Sequence, residues 1–166
     1  MTLEAVLTDG PPADASGVKI FPPGVYLAAL LVGFILEWLL PFPIAPAAIA
    51  PAVRILGVIG LVLGALLILA AGALFRRMGT ALSPFEPTSV LATEGPYRFS
   101  RNPIYLGLTL VLAGFALVGN ALWPLIAVVP AVWVVHTQVI LREEAYLESR
   151  FGAAYRDFRG RVRRWL

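Results

Sequence analysis

A chain of 166 residues that is 59% hydrophobic and only 14% charged, with a mean hydropathy of +0.83, is far more apolar than a soluble domain, and its length suits one compact bundle. It holds no cysteine and one histidine, which excludes thiol chemistry, disulfides, zinc–thiolate sites and multi-histidine metal centres. The formal charge of +3 is small, and its placement says more than its size.

Residues 1–20 carry Glu4, Asp9 and Asp14 with Pro11, Pro12 and Gly17. No basic n-region precedes an apolar core, so this is not a signal peptide but a polar arm, either partly disordered or folded over the bundle. A first spanning helix is predicted over about 24–40, apolar except for Glu37 and ended by Pro41-Phe42-Pro43. Pro41 to Pro51 has four prolines and no charge and reads as an irregular connection. A second span covers about 55–75, where 21 consecutive residues are uncharged. Gly60 and Gly64 form a small-residue pair in it, with Gly57 and Gly72 near the same face; this reads as a close helix contact or, alternatively, a cofactor passage. Arg76-Arg77 ends that span, and Thr80 to Thr93, broken by Ser83-Pro84 and Glu86-Pro87, is a loop.

The stretch from Glu94 to Gly107 is the one long polar, turn-rich passage between two apolar halves. Gly95-Pro96 cannot continue a helix, and Asn102-Pro103 fits a helix start, with Asn as N-cap and Pro at the first helical position. Arg98 and Arg101 add two planar donor forks beside Tyr97 and Tyr105. A helix N-terminus in that company is a seat for an anion, or else an ordinary loop whose arginines set topology.

From Asn102 to Leu141, 40 residues carry no formal charge save any on His136, twice the length of one span. Gly119-Asn120 near the middle predicts a helical hairpin over about 103–118 and 122–141, with Pro124 and Pro130 placed to bend its second arm. In the tail, Leu147, Phe151, Tyr155 and Phe158 recur at spacings of four, four and three. This is the stripe of a C-terminal interfacial amphipathic helix, with Gly152 placed to kink it. Arg159, Arg161, Arg163 and Arg164 beside Trp165 are suited to anionic lipid heads. The expected fold is thus an all-α integral membrane protein, a single membrane domain over 1–166 with four transmembrane helices and an interfacial one. Four spans place twelve of the 13 basic residues on one side, with only Arg54 opposite, so both termini are expected in the cytoplasm.

Two places concentrate polarity on that side, the Glu94–Gly107 stretch and Arg142-Glu143-Glu144. In an unbroken helix His136, Ile140, Glu143 and Leu147 share one face, at steps of four, three and four, which turns Glu143 to the bundle and Glu144 about 100° away. The carboxylates would bind a cation or ribose hydroxyls, or pair with Arg98, Arg101 or Arg142. His136 is either a site group or a histidine bonded to a neighbouring helix. Glu37, toward the outer end, is expected neutral, paired or snorkelling, and apart from the site. No Rossmann glycine pattern, Walker loop, HExxH or GxSxG is present. The spans hold too few charges for an ion pathway, and the arginine tail has no nucleic-acid-binding domain behind it.

Gly95-Pro96-Tyr97-Arg98, then Arg101-Asn102-Pro103-Ile104-Tyr105-Leu106-Gly107, a helical hairpin, Arg142-Glu143-Glu144 and Phe151-Gly152-Ala153-Ala154-Tyr155 resemble the isoprenylcysteine carboxyl methyltransferase and phospholipid methyltransferase superfamily in order and spacing. The resemblance runs from about Gly79 to the end of the sequence. Asn102 stands where many members have His, Arg142 directly precedes the acidic pair, and four spans is fewer than some members have. The resemblance implies a membrane methyltransferase that uses S-adenosyl-L-methionine and releases S-adenosyl-L-homocysteine. It implies cofactor contacts from Gly95, Pro96, Tyr97, Arg98, Arg101, Asn102, Pro103, Tyr105, Leu106, Gly107, His136, Glu143, Glu144 and Leu147. Catalytic roles would fall to Arg142, Glu143 and Arg156, with Arg142 or Arg156 orienting an acceptor carboxylate or phosphate. The acceptor would be a lipophilic molecule from the bilayer, a prenyl-cysteine-like carboxylate first and a phospholipid amine second. The location would be a bacterial inner membrane, with membrane lipids as partners and no metal or nucleic acid. Two other classes stand beside it: a non-catalytic membrane assembly protein, and a membrane reductase of the related sterol-reductase architecture using a nicotinamide cofactor.

Overall fold

The computed structural model describes residues 16–79 and 90–166, and every regular element within them is helical. Most of the polar arm expected over 1–20 and of the loop expected over 80–93 lies outside the described residues. Helix α1 (Pro22–Leu39) begins on a proline pair and stops at Leu40 (φ −136°, ψ 73°), because a residue before proline is pushed out of the helical region. Helix α2 (Ala50–Met78) is 29 residues long and overruns the predicted 55–75 at both ends. Pro51 lies in its first turn, where the missing N–H is no loss, so the helix starts inside the proline-rich run read as irregular. It ends at Gly79, whose left-handed backbone (φ 62°, ψ 26°) lets its N–H donate to the Arg76 carbonyl.

A 3₁₀ turn (Gly95–Arg98) leads to α3 (Pro103–Gly119), the first arm of the predicted hairpin, which turns at Asn120 (φ 52°). Helix α4 (Leu122–Val135), a π turn (His136–Ile140) and α5 (Leu141–Phe151) follow as one unbroken helix, past the predicted end at 141. Gly152, with φ 51° and ψ −119°, takes a conformation closed to other residues, and α6 (Ala153–Arg161) sets off in a new direction. The single interfacial helix expected in the tail is therefore two.

Among the described residues three helices are long and apolar enough to cross a membrane: Pro22–Leu39, Ala50–Met78 and Leu122–Phe151. Helix α3 is apolar but has 17 residues, about 26 Å of rise against a hydrocarbon core of about 30 Å. α2 packs chiefly on α3, and α1 on α4. The α2–α3 seam is built on glycines: a Cβ at Gly64 would lie 2.6 Å from the Gly107 carbonyl oxygen, and one at Gly57 2.8 Å from that of Gly114. The tight pair is thus Gly57 and Gly64, two turns apart, rather than Gly60 and Gly64; Gly60 has ordinary room at 3.5 Å, and Gly72 faces only the end of Arg76. Val18, Tyr26, Tyr105, Leu112, Val135, Val139 and Ile140 form the core, while Ile55, Leu56, Leu66 and Leu69 of α2 are exposed as lipid-facing residues would be.

One end of the bundle is clasped by the proline-rich connection. Asn120 accepts from the Ala45 N–H and donates to the Ala45 carbonyl, both at 2.9 Å, and its own carbonyl accepts from Ile44 N at 3.2 Å. Leu122 N donates to the Phe42 carbonyl, and the Trp123 indole to the Leu40 carbonyl at 2.8 Å. Glu37, of the three states open to it, is paired: its carboxylate accepts from Phe42 N at 2.6 Å and from Trp123 N at 3.3 Å. The second bond sets the charge at the start of α4, where the helix dipole favours an anion.

Candidate functional site

At the other end, the starts of α3 and α5 meet. Tyr105, in the first turn of α3, donates its hydroxyl to Glu143 Oε1 at 2.7 Å. Glu143 thus faces the bundle, as its position in α5 predicts. Tyr97, in the 3₁₀ turn, lays its ring on Phe75 with centroids 5.8 Å apart. Burial, and behind it the Glu143 charge, pushes the Tyr97 phenol up, so it stays a neutral donor. Tyr26 of α1 reaches the same region, 2.9 Å from the Thr109 hydroxyl.

Glu144 turns away from Glu143 but not into water; it is 8% exposed. Its Oε1 lies 3.2 Å from an Arg101 guanidinium nitrogen. Arg164 closes on it with both prongs, Nε to Oε1 at 2.8 Å and Nη2 to Oε2 at 2.7 Å. This bidentate fork is the strong geometry for guanidinium and carboxylate. Arg101 also donates to the Tyr155 hydroxyl at 3.4 Å. Burial, with the Glu144 charge second, raises the Tyr155 phenol above its ordinary value.

The backbone fixes this network. The segment at Arg163 and Arg164 lies along residues 100–102: Arg101 N donates to the Arg163 carbonyl, and the Arg164 carbonyl accepts from Ser100 Oγ at 3.2 Å and Asn102 Nδ2 at 3.1 Å. Asn102 does precede the first helical residue, Pro103, but its side chain does not cap α3. The amide goes to the Arg164 carbonyl instead, which corrects the capping role the sequence suggested. Among the described residues two buried nitrogens have no partner, Arg101 Nε and His136 Nδ1.

The structure places the other residues of the expected site as follows. His136 opens the π turn, where i→i+5 bonding takes up an extra residue per turn, so an α-helical count no longer sets His136 on the face that Glu143 and Leu147, one turn apart within α5, still share. Gly107 is a packing residue against Gly64. Gly95 (φ 56°) and Pro96 shape the 3₁₀ turn; Pro103 is buried, and Leu106 and Leu147 are half-buried. Arg98 parts from Arg101: it is exposed and lines a cleft with Thr93, Phe158, Arg161 and Val162. Arg142 is exposed and donates to the Gly17 carbonyl at 3.2 Å, and Arg156 is exposed on α6. Arg159 pairs with Glu148 at 2.8 Å, so with Arg164 it leaves the group of arginines free for lipid heads. The sequence reading gave Ser100 no role, set Arg164 among the lipid-facing arginines and Tyr155 in the apolar stripe, and brought none of the three to the site. Tyr155 stood in a recognised motif; Arg164 carried no local signal, because its partner is 20 residues away.

A family model of phospholipid methyltransferase matches residues 52–154, more than half of the chain. The chain belongs to the phospholipid methyltransferase family. The match takes in α2 through the start of α6, with Tyr105, Arg101, Glu143 and Glu144 inside it and Tyr155 and Arg164 beyond it. An uncharacterized protein of Haemophilus influenzae is 45% identical over 65 residues, which is 38% of this chain and the whole of that protein. No solved structure matches. This phospholipid methyltransferase family member shows no group of three or more His, Asp or Glu side chains able to hold a metal among the described residues.

Proposed function

We propose that this protein is an S-adenosyl-L-methionine-dependent methyltransferase whose cofactor lies between the 95–107 stretch and the start of α5. The observation that carries the reading is the Tyr105–Glu143 hydrogen bond, which joins the two polar segments that are far apart in the chain and sets a carboxylate beside neutral phenols. Two more observations support it. Arg101 Nε and His136 Nδ1 are buried donors or acceptors with nothing to bond, which a polar ligand would satisfy. The family match covers the same residues.

When bound, the cofactor supplies a sulfonium methyl, and transfer then depends mainly on holding acceptor and methyl in line at about 3 Å. Glu143 would accept from the ribose hydroxyls, with Tyr105 fixing its carboxylate. Arg101, oriented by Glu144 and Tyr155, would turn its free Nε to the ligand. Glu144 is the anchor of that arginine rather than a ligand itself. The acceptor would be a lipid entering sideways from the bilayer. Family membership favours a phospholipid amine over a prenyl-cysteine-like carboxylate. An amine must lose its proton before it reacts, and Glu143 is the carboxylate placed to take it.

The topology that fits is four spans, with α3 as a short third one returned by the Asn120 turn, and with both termini on the cytoplasmic side of a bacterial inner membrane. Support comes from twelve of 13 basic residues lying on that side in this arrangement. The region 79–166 would carry the cofactor site within one membrane domain. A cytoplasmic reporter joined after Leu166 should be active, and activity of a periplasmic reporter there would refute the span count.

The deciding experiment is S-adenosyl-L-homocysteine binding by the purified protein in detergent. Glu143→Gln should weaken it by about 1–3 kcal/mol, the range for a hydrogen bond to a charged group. Unchanged affinity in a folded variant removes the placement. Binding of a nicotinamide dinucleotide instead would favour the reductase reading, and binding of neither the assembly-protein reading.

A further inference from the structure

The sequence groups Arg98 with Arg101, and the structure separates them. Arg101 goes inward to Glu144 and Tyr155. Arg98 is left at the end of the 3₁₀ turn, on the wall of a cleft of about 250 Å³ that Thr93, Phe158, Arg161 and Val162 complete. Arg161 comes from the last residue of α6, so two guanidiniums from segments 63 positions apart converge on one opening.

Neither arginine forms an ion pair with any described residue, Asp157 one turn before Arg161 included. Arg161 has only a long 3.4 Å bond from Nε to the Asp157 carbonyl, which leaves its terminal nitrogens open. The carbonyl end of α6 contributes only about half a charge of opposite sign, against two full positive charges. The rest of the wall is mixed: the Thr93 side chain is polar, and Phe158 and Val162 are apolar. Two forks without acid partners among the described residues, a hydroxyl and an apolar wall match a phosphate ester, its charged oxygens on the arginines and its carbon side on Phe158 and Val162.

In the proposed topology the surroundings lie at headgroup depth. Phe99, next to Arg98, is 75% exposed and Leu166 71% exposed, large apolar side chains turned outward at the end of the bundle where α3 begins its apolar run. The cleft has room for a phosphate with the start of its glycerol, while the chains of a lipid would stay in the bilayer.

We propose that the Arg98–Arg161 cleft is a phosphate-binding site, separate from the Glu143 site and independent of the methyl-transfer reading. A phospholipid headgroup and a soluble phosphate ester share the required chemistry, and the experiment tells them apart. The full chain is reconstituted in phosphatidylcholine nanodiscs containing small amounts of either phosphatidic acid or diacylglycerol, and retained lipid is measured by native mass spectrometry after detergent release. Phosphatidic acid is retained and diacylglycerol is not. Arg161→Gln lowers that retention about tenfold, as loss of a charge-assisted hydrogen bond does, and Arg161→Lys, which keeps the charge but not the fork, lowers it less. Arg163→Gln removes an exposed tail arginine that does not line the cleft and leaves retention unchanged. Glycerol 3-phosphate that protects the protein against thermal unfolding in an Arg161-dependent way, without any lipid being retained, assigns the site to soluble esters. Equal loss in Arg163→Gln, equal retention of diacylglycerol, or no response to either phosphate compound overturns the proposal. Arg161 is exposed, so its variants should fold; monodispersity and helicity check this.

Discussion

The two ends of the bundle each hold a carboxylate or amide network, half-buried at one end and centred on the buried Glu144 at the other, and they are built differently. At the end closed by the proline-rich connection, Glu37 and Asn120 bond only to backbone groups, at Phe42, Ala45 and Trp123. Those are groups that any chain turning there must satisfy. At the end where α3 and α5 start, side chain bonds side chain: Tyr105 to Glu143, Arg101 and Arg164 to Glu144, Arg101 to Tyr155. Two buried nitrogens are left over there, and none at the other end among the described residues. Polar groups spent on backbone serve the fold. Polar groups bonded to one another, with two nitrogens to spare, are what the proposed cofactor site rests on.

The largest effect should come from Glu144→Ala. It strips Arg101 of its counterion in a buried setting, where breaking one partner of an ion pair costs about 3–5 kcal/mol. Denaturant unfolding in detergent should show a loss of this size, and a loss below that of Asn120→Ala would mean the network is not what holds the two segments. Asn120→Ala comes next, at about 2 kcal/mol for the lost amide bonds and the left-handed backbone. Its homocysteine-cofactor affinity should be unchanged, since it acts at the far end; a tenfold change would show the ends to be coupled. Tyr105→Phe inverts the pattern. Stability should move by less than about 1 kcal/mol while that affinity falls about tenfold, because only one hydrogen bond to Glu143 is removed. The smallest effect belongs to Glu37→Gln, about 0.5–1 kcal/mol in unfolding with binding intact, since its shorter bond is solvent-exposed.

Legibility in the sequence followed the range of the interaction. Asn102-Pro103 and Gly119-Asn120 punctuate locally, and α3 begins and turns at those positions, while the first helix starts at Pro22, two residues before the expected 24. The period of α5 turned Glu143 inward correctly. The π turn at His136 left no mark, because a single i→i+5 bond changes the period for one turn only. Gly57 and Gly64 were seen as small residues, but which two meet α3 depends on the crossing, and that is set by both helices. Arg164 looked like one more surface arginine; its role rests on Gly152 breaking the helix and sending α6 back toward Ser100. Glu37 needed the proline-rich connection to fold over it before its partners existed.

The pairing of Arg101 with Glu144 has a consequence for the order in which the protein is made. Arg101 leaves the ribosome before the entire α3–α4 hairpin, and its counterion follows 43 residues later in the sequence. In the proposed topology the hairpin enters the bilayer while the arginine has neither Glu144 nor Arg163 to bond. It would wait in water or among headgroups, holding that end of α3 at the surface during insertion. The residue that later pairs with Glu144 would thus act first as a stop, keeping the start of a short helix from sliding into the membrane before its partners arrive.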